Sequence, residues 1–118
     1  MTRGFDRFAK RHRLTDPELL AERDRLLAGL VDADLGGGLY KQRMRRPDGW
    51  RSGGYRVVVA LRIGDRLVFL IGFAKNDRPN LSPAELHALR ERLRELFALN
   101  GESLDEAVAA GILRELTP

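Results

Sequence analysis

The chain has 118 residues, 43% hydrophobic and 32% charged, with a net charge of +4. This length suits a single domain, 1–118, with one modest core, and this composition excludes a disordered chain or one that spans a membrane. Because the chain has no cysteine, a disulfide framework and a thiolate nucleophile are excluded as well.

The first part of the chain, residues 4–31, is predicted to form a helical hairpin. Phe5 and Phe8 lie among basic residues and indicate a short first helix. Thr15 and Glu18 have the spacing of a capping box, so a second helix begins there. The leucines that follow fall on one helical face: Leu19, Leu20, Leu26, Leu27 and Leu30.

The N-terminal sequence lacks the apolar region of a signal peptide, so we expect a cytoplasmic protein.

A sheet is predicted after the glycine run 36–38. No Lys-Ser/Thr pair follows these glycines, so a plain turn is favoured over a phosphate-binding loop. Residues then alternate with a period of two, which predicts strands near 39–46, 55–63 and 66–74. Since only Gly64-Asp65 separates the last two, they should form an antiparallel hairpin.

The C-terminal part is predicted to be helical. Ser82 and Glu85 form a second capping box, with Pro83 at the first helical position, and this predicts a helix near 83–98. Ser103 resembles a third cap that opens a short helix to Ala110, and residues 112–116 are expected to add an edge strand. The predicted fold class is therefore α+β: a helical hairpin packed on a three- to four-stranded antiparallel sheet with C-terminal helices.

Residues 39–56, LYKQRMRRPDGWRSGGYR, contain six cations and a single acid, Asp48. The cations are Lys41, Arg43, Arg45, Arg46, Arg51 and Arg56. Clustered cations gain affinity for phosphates by releasing counterions, although a solvated basic face is an equally good interpretation of such a run.

Strand alternation places the cations of the first strand on one side. Leu39, Lys41, Arg43 and Arg45 should point one way, and Tyr40, Gln42 and Met44 the other. Pairing with the next strand is expected to bring Arg56 alongside Lys41 or Arg43. Trp50 and Tyr55 would offer planar surfaces for stacked bases, although core packing is the favoured interpretation for Tyr55 taken alone.

Such a cluster suits ribonuclease chemistry, because RNA carries its own nucleophile, the 2′-hydroxyl. Crowding by arginines disfavours the ammonium form of a lysine, so Lys41 is the candidate general base. The arginines would stabilise the charge that develops on the phosphate.

The two histidines, His12 and His87, are far apart and without a neighbouring ligand, so no metal or other cofactor is expected.

Three stretches resemble the RelE superfamily of bacterial toxins, in the branch related to HigB: DADLGGGLYKQRM, SGGYR with the Val-rich strand after it, and GFAKNDRPNLS. The resemblance implies a helical hairpin on a twisted antiparallel sheet. It also implies the toxin of a type II toxin–antitoxin pair, an RNase that cuts mRNA in the ribosomal A site. The implied partner is an antitoxin, in HigB-like pairs usually a HigA-like helix-turn-helix protein.

Carried over by position, Lys41 matches a catalytic lysine of the family and Arg56 its phosphate-binding arginine. Arg43 stands where the family has a second lysine. After Lys75, the position of a further catalytic arginine holds Asn76, with Arg78 two residues on; a late tyrosine is replaced by Ser82. The predicted catalytic set is Lys41, Arg43, Arg56, Lys75 and Arg78, and the predicted RNA-binding set is Arg45, Arg46, Trp50, Arg51 and Tyr55.

Two other functions stay open. ParE-like proteins share this fold and poison DNA gyrase, so the fold by itself does not separate a nuclease from a gyrase poison. The third hypothesis is a non-catalytic module that acts only with its antitoxin as a repressor complex. The basic strand with SGGYR favours RNA over both.

Overall fold

The computed structural model describes residues 1–45, 55–74, 81–97 and 101–116. In these residues two helices precede four strands, and two helices follow. The bounds are α1 Arg3–Arg11, α2 Asp16–Leu27, β1 Ala33–Gly36, β2 Leu39–Arg45, β3 Tyr55–Ile63, β4 Arg66–Ala74, α3 Pro83–Phe97 and α4 Gly101–Ala109. The strands lie in the order β1-β2-β3-β4, and each neighbouring pair is antiparallel. The predicted α+β fold class is confirmed.

Two of the three predicted helix caps are formed. The Glu18 amide donates to the Thr15 hydroxyl at 3.3 Å, and the Thr15 amide donates to the Glu18 carboxylate at 3.4 Å. Ser82 and Glu85 make the same reciprocal pair at the start of α3, at 3.1 and 3.0 Å. The third prediction was wrong, because α4 begins at Gly101 and Ser103 lies inside it.

The sheet separates two apolar layers. On one face, side chains of α1 and α2 pack against Met44, Val58 and Phe69. On the other face, side chains of α3 and α4 pack against Leu39, Val59 and other strand residues. β2 therefore has one side toward each layer, and the direction of each of its side chains decides which layer it joins.

The contact between α1 and β4 depends on Gly72. A Cβ built there would lie 2.2 Å from two ring carbons of Phe8, far inside van der Waals contact. The missing side chain of Gly72 lets the Phe8 ring lie against the backbone of β4, and so brings α1 close to the sheet.

The fourth strand of the sheet is β1, which was not predicted from the sequence. The prediction of an edge strand at 112–116 was wrong. Only Leu113 bridges, with Thr2. Thr2 itself already occupies the edge of β4: its amide donates to Phe69 O at 3.1 Å and its hydroxyl to Leu70 O at 2.9 Å. The C-terminal segment therefore meets Thr2 instead of joining the sheet.

The beginning and end of the described chain are joined by a terminal clasp, the contacts of Met1 and Thr2 with Leu113 and Arg114. The Met1 amino group donates to Arg114 O at 2.6 Å, and the Arg114 amide donates to Met1 O at 2.9 Å. The Arg114 guanidinium also binds the carboxylates of Asp6 and Asp16. These further contacts of Arg114 tie the C-terminal segment to both N-terminal helices.

Candidate nucleic-acid interface

Lys41 and Arg43 lie side by side on the same face of β2. Lys41 is opposite Ala33 of β1 and Val59 of β3, and Arg43 is opposite Val57. Lys41 is half-buried, whereas the Arg43 side chain is 57% exposed. The predicted alternation is confirmed, because Leu39 on their face joins the α3 and α4 layer while Met44 joins the α1 and α2 layer.

Arg56 lies on the opposite face, and the expectation that strand pairing would bring it beside Lys41 or Arg43 was wrong. Arg45 pairs with Tyr55, so Arg56 falls opposite Met44. A register that differs by one residue exchanges the two faces of a strand, and the sequence did not define this register.

The buried position of Arg56 gives it a structural contact. Arg56 is 2% exposed, and its Nη1 donates a hydrogen bond to His12 O at 2.8 Å. His12 is the C-cap of α1, where carbonyl oxygens carry the negative end of the helix dipole. This contact joins β3 to the end of α1.

Gln42, which was not among the predicted site residues, is 2% exposed. Its Oε1 accepts from the Asp32 amide at 2.9 Å, and its Nε2 donates to Glu22 Oε1 at 2.6 Å and to Leu30 O at 3.2 Å. We call these three hydrogen bonds the Gln42 bridge. A polar side chain between Tyr40 and Met44, on the apolar side of the strand, was the available signal.

Asp32 places a carboxylate beside the cations of β2. Its Oδ2 accepts from the backbone amide of Arg43 at 2.6 Å and lies 3.5 Å from Arg43 Nε. A cavity of about 440 Å³ lies beside Arg43. Its lining includes two more carboxylates, those of Glu18 and Glu22, and the guanidinium of Arg25. The surface around Arg43 is therefore of mixed charge, although the strand sequence is basic.

Most of the other predicted site residues lie outside the described residues: Arg46, Trp50, Arg51, Lys75 and Arg78, together with Asn76. Arg45 and Tyr55 are placed as a backbone pair at the ends of β2 and β3, while their side chains also lie outside the description. Ser82 is exposed and caps α3. The roles of all these residues stay predictions.

The described residues hold no group of three His, Cys, Asp or Glu side chains that could bind a metal ion. In the same part of the chain, no helix combines the length and the apolar character needed to cross a membrane.

A family model described as the RelE toxin of the RelE / RelB toxin-antitoxin system matches residues 1–116. No curated protein and no solved structure matches the chain. The match includes both N-terminal helices, all four strands and both C-terminal helices.

Proposed function

Since the chain belongs to the RelE toxin family, and is thus the toxin of a toxin–antitoxin system, we propose that it is a ribosome-dependent endonuclease that cuts mRNA and inhibits translation. The observation that carries the proposal is the cation pair on β2, Lys41 and Arg43, within the region of the family match. The half-buried Lys41 and the exposed Arg43 lie on one strand face, which supports assigning them as proton acceptor and phosphate ligand.

In this proposal Lys41 takes the proton of the RNA 2′-hydroxyl, and the 2′-oxygen bonds to the adjacent phosphorus while the bond from phosphorus to the 5′-oxygen breaks. The leaving 5′-oxygen takes a proton from water, and Arg43 stabilises the charge that grows on the scissile phosphate. A positioned general base contributes typically about 10²- to 10⁴-fold to a rate. Arginine suits the second role because its guanidinium stays charged and donates in a fixed geometry. Arg56 supports the site from the other face, by holding β3 against α1, and we do not assign it a phosphate contact.

The test is mRNA cleavage by the purified protein on purified ribosomes. We expect the wild type to cut mRNA, and Lys41→Ala to lower the cleavage rate of bound substrate by about 10²- to 10⁴-fold. Lys41→Arg keeps the cation but removes a usable base, so it should bind and remain inactive. Lys10 offers a matched control: its side chain is 76% exposed on α1 and pairs with Asp6, so Lys10→Ala and Lys10→Arg should cut normally.

The outcomes separate the three hypotheses. Full activity of Lys41→Arg would remove Lys41 as proton acceptor and direct the search to Lys75. Intact mRNA together with inhibited supercoiling by DNA gyrase would establish the gyrase poison. Intact mRNA and unaffected gyrase would establish a binding module without catalysis.

The family implies a cognate antitoxin, and we propose a HigA-like helix-turn-helix protein. Its acidic or amphipathic segment would cover the sheet and β2, because hiding the phosphate-binding face neutralises the toxin most simply. Expression of the chain alone should arrest growth, and co-expression of the antitoxin should restore it. A complex in which Lys41 and Arg43 stay fully open would contradict the proposed antitoxin surface.

A further inference from the structure

Asp32 places a negative charge against the proposed RNA-binding face. It lies between α2 and β1, ten residues before Gln42 in the chain, and reaches the edge of β2. Its Oδ2 is 2.6 Å from the Arg43 backbone nitrogen and 3.5 Å from Arg43 Nε. One carboxylate oxygen therefore meets both the strand backbone and the guanidinium.

The position of this carboxylate is fixed by two backbone contacts. The Asp32 amide donates to the buried Gln42 side chain at 2.9 Å, and the Asp32 carboxylate accepts from the backbone of β2. Most ion pairs on protein surfaces are weak because both long side chains must be immobilised. Here one partner is already held by the fold, at no further cost in side-chain entropy.

Arg43 has the more exposed side chain of the pair. Its side chain is 57% exposed, whereas that of Asp32 is 33% exposed. The 3.5 Å separation between Nε and Oδ2 is longer than a normal N–H···O hydrogen bond. The Asp32 carboxylate is held by the backbone of β2 and not by the guanidinium, so its position does not depend on what the guanidinium binds.

We propose that Asp32 sets the RNA affinity of this face, by cancelling part of the charge that Arg43 offers to RNA phosphate. The inference rests on the proposed function, because it takes RNA as the ligand of β2. Its consequence is that β2 binds RNA more weakly than its number of cations predicts.

The size of the effect follows from counterion release. For single strands, each neutralised phosphate makes the slope of log affinity against log salt steeper by about 0.7, so one full contact is worth about fivefold at about 0.1 M salt. Asp32→Asn removes the charge and keeps an oxygen acceptor for the Arg43 amide. We therefore expect binding up to about fivefold tighter and a slope steeper by up to about 0.7.

The experiment measures the fluorescence anisotropy of a labelled single-stranded RNA oligonucleotide, titrated with the full chain at several KCl concentrations and without ribosomes. Asp65→Asn is the matched control, because it makes the same charge change in the exposed β3–β4 turn. Asp32→Glu restores the charge and should bind as the wild type does. In Arg43→Ala, the further change Asp32→Asn should give no gain. Urea unfolding of each variant shows that it is folded.

Equal affinities for Asp32→Asn, Asp65→Asn and wild type would overturn the inference, and so would an Asp32→Asn gain that persists in Arg43→Ala. A failure of all proteins to bind the RNA would also overturn it. These results are independent of cleavage: intact mRNA on ribosomes refutes the proposed endonuclease, whereas cleavage with unchanged RNA affinity in Asp32→Asn refutes only the role of Asp32.

Discussion

Gln42→Ala should destabilise the protein by about 3 kcal/mol. The change removes three hydrogen bonds of a buried amide. The two neutral bonds contribute about 1 kcal/mol each and the bond to the Glu22 carboxylate about 1.5 to 3. The one lost methylene, Cγ, adds about 0.8 kcal/mol. Together these contributions reach about 4 to 6 kcal/mol. Water lowers the net loss to about 3 kcal/mol, because it can reach the Glu22 carboxylate that the variant leaves without the Gln42 amide; the Glu22 side chain is 13% exposed.

The assay is urea unfolding followed by circular dichroism. The midpoint should fall while the slope m stays unchanged, because the variant exposes about the same surface on unfolding. Leu30→Ala is the control at the same site. Its side chain is exposed, and its backbone carbonyl still accepts from Gln42, so its stability should stay within about 0.5 kcal/mol of wild type.

A loss below about 1 kcal/mol in Gln42→Ala would refute this argument. It would mean that the Gln42 bridge contributes no more than one ordinary hydrogen bond in solution. An equal loss in Leu30→Ala would also refute it, since the effect would then come from the turn and not from the amide.

Two further predictions concern the fold. Gly72→Ala should lower the free energy of unfolding by about 2 to 3 kcal/mol, because the new Cβ would lie 2.2 Å from the Phe8 ring. Gly4→Ala in α1 is the control and should not destabilise the protein. Similar urea midpoints for the two variants would contradict this. Burial, followed by the charge of Arg114, lowers the pKa of the Met1 amino group from 8.0 to about 6. The unfolded chain therefore binds more protons between these values, so stability should rise by about 1 to 2 kcal/mol from pH 6 to pH 8. N-terminal acetylation should abolish this rise in urea unfolding, and an unchanged rise would refute the assignment.

Local patterns explain why much of the fold was predictable. The Thr15 and Ser82 caps need only residues three positions away, and the hairpin of β3 and β4 needs only the short turn at Gly64. β1 was missed because Ala33–Gly36 is short and lacks β-branched residues. The C-terminal strand was wrongly predicted because Thr2, from the other end of the chain, holds the edge of β4.

The candidate site was less predictable, since it depends on register and on contacts distant in sequence. Alternation placed Lys41 and Arg43 correctly, because it acts within one strand. Arg56 was misplaced because the register between β2 and β3 decides which face of the sheet it joins. Asp48 was taken as the single acid of the basic segment, yet the fold brings Asp32 to Arg43 from outside that segment.

The terminal clasp also orders events during synthesis of the chain. The last strand of the sheet ends at Ala74, and the clasp needs Arg114. At about 5 to 20 residues per second, the ribosome takes about 2 to 8 seconds to add the residues between them. During that interval a nascent chain holds every residue of β2, including Lys41 and Arg43, before Arg114 exists to tie Met1, Asp6 and Asp16 in place. A newly made toxin therefore passes through a clasp-free form while it is still attached to a ribosome.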